Sequence, residues 1–130
     1  MGSNVVFKLF FLLGVLLIVG CRAAVPVYNV SSAPVTTNKP ASIDEIEKAI
    51  IRAGVGLGWQ MVSRGKGKVE GTLVLREHRA VVDIDYDAKN FNIKYKDSTK
   101  LDYDGEKIHP NYNSWVQNLD RAIRAQLTAM

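Results

Sequence analysis

Hydrophobic positions follow different periods along this chain, and each change of period marks a different kind of segment. From Leu9 to Gly20 they are continuous. Between 42 and 54 they recur at helical spacing: Ile43, Ile46, Ile50 and Ala53 share one face. Ser42 and Glu45 form a capping-box pattern at the start, and Gly54 suits a left-handed exit at the end. Lys48 and Arg52 fall in the last turns, where cations suit the helix dipole. Alternation then takes over. Leu57, Trp59 and Met61 share one parity, followed by Val69, Gly71, Leu73 and Leu75, then Ala80, Val82, Ile84 and Tyr86, then Phe91, Ile93 and Tyr95. Turns fall at 64–68, 77–79 and 87–90, and Asp83 and Asp85 face Lys94 and Lys96 across the last hairpin. A loop over 97–110 leads to a second helix at about 111–128, striped by Tyr112, Val116, Leu119, Ile123 and Leu127, with Trp115 and Ala122 beside the stripe. The pattern predicts a two-layer α+β domain: a four-stranded antiparallel meander with an N-terminal and a C-terminal helix packed on one face, in the order α-β-β-β-β-α.

Ahead of that domain the signals differ. The apolar run that starts at Leu9 has the length of a secretory signal and is shorter than the ~20 residues a spanning helix needs. It follows Lys8 and closes on Ile18-Val19-Gly20-Cys21. That tetrapeptide resembles the lipobox of bacterial lipoproteins, in which a small residue precedes the cut and the cysteine carries the lipid. The resemblance implies a signal peptide over 1–20, cleavage after Gly20, and Cys21 as the acylated N-terminus; the alternatives are an ordinary signal peptide cut near Ala23 or Ala24, or an uncleaved anchor. Cys21 is the only cysteine, so no disulfide within the chain competes for it. Residues 22–40 carry Pro26, Pro34 and Pro40 among Ser, Thr and Asn, and are expected to be a mobile tether reaching up to ~60 Å if extended. The domain is then 41–130. Arg22 follows the cysteine, and the lipoprotein analogy places a chain without Asp there at the outer membrane, facing the periplasm, if the source is Gram-negative.

Charge sharpens the exclusions. The net charge is +4, but Lys8, Arg22 and Lys39 precede residue 41, leaving 14 Lys plus Arg against 13 Asp plus Glu in the domain. A duplex binder needs a concentrated basic footprint, so no nucleic-acid partner is expected. The one dense basic cluster, Arg64, Lys66 and Lys68, is a hairpin tip that could touch anionic headgroups or a glycan. His109 sits in a polar loop with Asp102 and Asp104, the raw material of a general base, yet no nucleophile-elbow pattern surrounds any Ser. Helix entry through His109-Pro110 is the simpler use. His78 and His109 are too far apart for a zinc motif, and Asp83, Asp85 and Asp87 read as an outward strand face, so no metal or cofactor is expected. Gly54, Gly56 and Gly58 follow a helix and open a strand, the reverse of a dinucleotide loop.

Tyr95-Lys96-Asp97-Ser98, Leu101-Asp102-Tyr103 and Ile108-His109-Pro110-Asn111-Tyr112-Asn113-Ser114-Trp115, together with Gly58-Trp59, resemble a family of small uncharacterised proteobacterial lipoproteins. The likeness covers most of 42–127. It implies fold and location, and it implies no activity. The resulting expectation is a lipid-anchored, non-enzymatic module that docks onto another envelope protein. The alternatives are a module binding lipid, glycan or peptide near Tyr103, Tyr112 and Trp115, and a small hydrolase using His109.

Overall fold

Ser42 opens the first helix, α1 (Ile43–Gly56), with a complete capping box: its Oγ accepts the Glu45 N–H (3.1 Å), and Glu45 Oε1 accepts the Ser42 N–H (3.4 Å). A computed structural model describes residues 23–130 of the chain. The signal peptide, Gly20 and Cys21 lie outside the described residues. The helix does not leave at Gly54. It continues to Gly56, and the left-handed residue is Gly58, at φ +89°. Gly54 instead lets the next strand approach, because a Cβ there would run into the Met61 side chain. Three closely spaced glycines made the exit ambiguous from sequence. With the helix extended, Arg52 is no longer in its last turn, and it donates to Gln126 Oε1 of the second helix (3.2 Å).

Four strands follow as the alternation requires: β3 (Gln60–Ser63), β4 (Lys68–Leu75), β5 (His78–Tyr86) and β6 (Asn90–Thr99), each antiparallel to the one before. Two more strands precede α1. β1 (Val25–Pro26) pairs with β7 (Lys107–Ile108) in a two-stranded ribbon, and β2 (Val30–Pro34) pairs with β6. The main sheet therefore has five strands, in the order β2-β6-β5-β4-β3, and the expected four-stranded count is corrected.

The correction reaches the expected tether as well. Val30 and Ala33 are buried in the core, and side-chain amides stitch the 26–32 segment down. Asn113 accepts the Tyr28 N–H (2.9 Å) and donates to the Pro26 carbonyl (2.9 Å). Asn29 Oδ1 accepts the Tyr95 N–H (3.0 Å), and Asn92 Oδ1 accepts the Ser32 N–H (2.7 Å). Proline and polar residues suit this role because β2 is an edge strand: it needs bonds on one side only, and its register is already broken between Val30 and Ala33, with Ser32 at φ +52°.

The second helix, α2 (Pro110–Thr128), buries Tyr112, Val116, Leu119, Ile123 and Leu127, the expected stripe. These residues join Ile46, Ile50 and Ala53 of α1 and the inward parity of the sheet in a single cluster. Two positions of that parity depart from expectation. Leu57 lies in the turn after α1, and Leu75 ends β4 beyond the core, so both are exposed.

The other parity is mixed: Val62, Val74 and Val81 fall on it among polar and charged residues. Glu70 bridges Arg64 (3.1 Å) and Lys96 (2.6 Å), and Lys96 reaches Asp83 (3.4 Å). Asp83 stands opposite Lys94 in register but pairs with Lys96, the residue that the bulge between Val81 and Val82 leaves without a partner on β5. Asp85 faces Asn92 and Lys68 rather than a lysine of β6.

Candidate functional site

The two helices run antiparallel. Glu45 near the start of α1 shares a surface depression with Met130, while Leu57 past its end shares one with Trp115 and Asn118 of α2. The β4–β5 turn comes to the same end, so Leu75, Arg76 and His78 meet Asn111 and Trp115 around a cavity of about 370 Å³. A second depression of about 90 Å³, lined by Leu57, Trp59, Leu73 and Asn118, shares Leu75 and Trp115 with it. The two together form an open groove whose lining includes a half-buried indole and an imidazole, 6.4 Å apart.

The histidines at this end hold opposite proton arrangements. His109 is the N-cap of α2, and its Nδ1 accepts the Asn111 N–H (3.1 Å), which requires an unprotonated Nδ1. His78 Nδ1 lies 2.8 Å from the Lys100 carbonyl, which can only accept, so that nitrogen carries a proton. The rings stack at 6.4 Å, with the Trp115 ring 6.4 Å from His78. His109 thus serves as a helix cap whose inner nitrogen is occupied. Among the described residues no carboxylate is hydrogen-bonded to it.

The remaining sequence candidates separate. Tyr112 is fully buried beneath Tyr95 (5.6 Å, edge-on), so it cannot line a ligand surface. Burial pushes its hydroxyl above the ordinary phenol range. Tyr103 stacks on Tyr95 at 4.0 Å and keeps an exposed edge, its hydroxyl donating to the Gly105 carbonyl (3.2 Å). Only Trp115 of the three predicted aromatics lines the groove. Leu57, Leu75 and His78 were not among the predicted site residues. Leu73-Val74-Leu75 signals one outward residue, Val74, because three consecutive apolar residues in an alternating strand cannot all face inward, but it is silent on Leu75, which shares the parity of Leu73.

The basic hairpin lies at the other end of β4. Lys66 and Lys68 are exposed there, while Arg64 is held by Glu70. Hydrogen bonds from Lys96 and then Arg64 keep the Glu70 carboxyl below its ordinary value of 4.5. The bond to Glu70 raises Lys96 above 10.5. A carboxyl lowered by folding binds fewer protons folded than unfolded. Its contribution is therefore complete above the unfolded value and is lost as pH falls through the depressed one. Glu70→Gln should melt a few degrees below the unaltered protein at about pH 7 and level with it near about pH 3. The effect is small because Arg64 and Lys96 are half exposed. Paired thermal melts at the two pH values check this.

Among the described residues no group of three or more His, Cys, Asp or Glu side chains is placed to hold a metal ion. Asp87 serves its turn, accepting the Lys89 and Asn90 N–H groups at 2.8 Å each. No family model, curated protein or solved structure is matched by this chain.

Proposed function

We propose that this chain is an N-terminally lipidated envelope protein whose domain acts by binding and not by catalysis. One observation carries the reading: the only cysteine closes Ile18-Val19-Gly20-Cys21 at the end of a signal-length apolar run. In this reading the signal is cut after Gly20 and the Cys21 sulfur carries a diacylglycerol. Each buried methylene contributes ~0.8 kcal/mol, so two or more acyl chains make the attachment effectively permanent. Arg22 after the cysteine favours the periplasmic face of the outer membrane in a Gram-negative cell.

We read the architecture as two layers with both helices on one side of the sheet, since their stripes and one sheet parity share a single buried cluster. On the other side Arg64, Glu70, Lys96 and Asp83 are committed to one another, alongside Val62, Val74 and Val81. The groove of Leu57, Leu75, His78 and Trp115 is then the surface suited to an apolar or amphipathic partner. His109, engaged in capping, supports binding over hydrolysis.

The test is fractionation. The unaltered protein should sit in the membrane fraction with a mass carrying acyl groups. Cys21→Ser should keep its signal, and any signal-free product should shift to the soluble fraction by well over ~tenfold. A Cys21→Ser chain that matures and fractionates as before would end the proposal.

A further inference from the structure

The anchoring reading has a geometric consequence, on which the following inference rests. A free tether over 22–40 would let the domain hang far from the bilayer. With β1 paired to β7 and Asn113 clamping Pro26 and Tyr28, the folded body begins at Val25. Four residues from Cys21 to Val25 span at most ~14 Å in any conformation. The acylated residue therefore keeps this end of the domain at the headgroup layer.

This is also the end where the domain is greasy. Val25 pairs with Ile108, the residue before the His109 cap, so the exit point adjoins the start of α2 and the groove beside it. The exposed large hydrophobic residues among those described are Val55, Leu57, Val74, Leu75 and Tyr103, at 39 to 61% exposure. Val55 and Leu57 end α1, Val74 and Leu75 end β4, and Tyr103 stacks on Tyr95, which packs against Tyr112 in the first turn of α2. They come from three separate stretches of chain, of which the ends of α1 and β4 meet at this pole, while the far ends of the same elements, at Glu45, Lys66 and Lys68, carry exposed charges and no exposed large hydrophobic residue. Exposed aliphatic side chains with a Tyr and a Trp at their margin match the boundary between headgroups and acyl chains.

We propose that this pole is a membrane seat: Leu57, Val74, Leu75, Tyr103 and Trp115 insert into the bilayer interface beside the lipidated Cys21, fixing the orientation of the domain. Attraction to anionic lipid is not the cause. Arg76, Lys100 and Lys107 at this pole are offset by Glu77, Asp102, Asp104 and Glu106. The contact needs little affinity of its own, because the anchor makes it intramolecular and the effective concentration high. The far pole, with Lys66 and Lys68, is then held out toward the periplasm.

The test uses full-length protein matured in cells, its Cys21 acylation verified by mass, reconstituted in uncharged phosphatidylcholine vesicles containing headgroup-nitroxide lipid. A fluorophore is placed at Glu77→Cys, in the β4–β5 turn, or at Lys66→Cys, in the β3–β4 turn, about 25 Å away along β4. The Glu77 probe should be quenched at least ~threefold more than the Lys66 probe, with no further gain when anionic lipid is added. Leu57→Glu combined with Leu75→Glu alters exposed positions only. It should bring the two probes to within ~1.5-fold while leaving the vesicle-bound fraction unchanged. Equal quenching in an acylated, unaltered chain overturns the inference and leaves the anchoring reading standing. So does a Glu77 probe shielded in native membranes but not in protein-free vesicles, which assigns the pole to a protein partner. A chain recovered without acyl groups overturns both.

Discussion

Tyr112→Ala is expected to lose about 3–5 kcal/mol of stability, while Tyr112→Phe loses nothing and gains up to about 1 kcal/mol. The contrast follows from two features of the same side chain. Its ring is fully buried in the first turn of α2, edge-on to Tyr95, within the cluster that joins both helices to the sheet. Truncation to alanine leaves a cavity the surrounding elements cannot fill, because Val116 and Leu119 on the same stripe are already fully packed. The hydroxyl, by contrast, is buried without a hydrogen-bond partner among the described residues. Burial raises its pKa for the same reason: the surroundings solvate a charge poorly. Removing that oxygen forfeits no bond and ends a desolvation penalty. Urea unfolding of the unlipidated chain from residue 22 onward measures both variants. A loss above about 1 kcal/mol in Tyr112→Phe would reveal a partner for the hydroxyl, such as a bound water.

The second large effect belongs to the arm. Beginning the chain at residue 36, which removes β1 and β2, is expected to cost about 3–5 kcal/mol, a large share of the roughly 5–15 kcal/mol available to a domain of this size. Burial of Val30 alone contributes about 1.5–3 kcal/mol, and Ala33 adds a smaller amount. Loss of β2 also uncovers the edge of β6 beside Phe91 and Ile93, both otherwise fully buried. The exposed edge should make the shortened chain prone to aggregation. Asn113→Ala, which releases only the clamp on Pro26 and Tyr28, should lose about 1–2 kcal/mol. A true tether would respond quite differently, with truncation changing the unfolding free energy by less than about 0.5 kcal/mol. Thermal and urea unfolding of the three chains decides between these outcomes. The result also bears on the membrane seat, since a loose arm would free the domain from the bilayer.

The candidate site was legible only in part, and the reason differs by residue. Trp115 lines the groove because its place beside the stripe of α2 leaves it half buried. Tyr112 sits on the stripe and is therefore core. His109 caps α2 as the His109-Pro110 step suggested. His78 was masked by its neighbours in a turn, and its approach to Trp115 depends on where β5 starts relative to α2. Leu57 and Leu75 have the correct parity for the core but lie past its edge. Parity reports which way a side chain points and is silent on whether anything stands there.

The same distinction runs through the whole chain. Local chemistry was enough for the α1 capping box, the buried stripe of α2, and four strands with their inward residues, since each depends on neighbours within one or two turns or along one strand. The fifth strand was beyond its reach. Nothing local in Val30-Ser31-Ser32-Ala33-Pro34 demands a sheet; the free edge of β6 and the amide of Asn92, some sixty positions later, supply the bonds that hold this stretch down, as Asn113 does for Pro26 and Tyr28. Only tertiary structure could convert an apparent tether into part of the fold and gather the ends of α1 and β4 at the pole where the chain emerges. Long-range hydrogen bonding and the outline of the core, unlike periodicity, belong to no single segment.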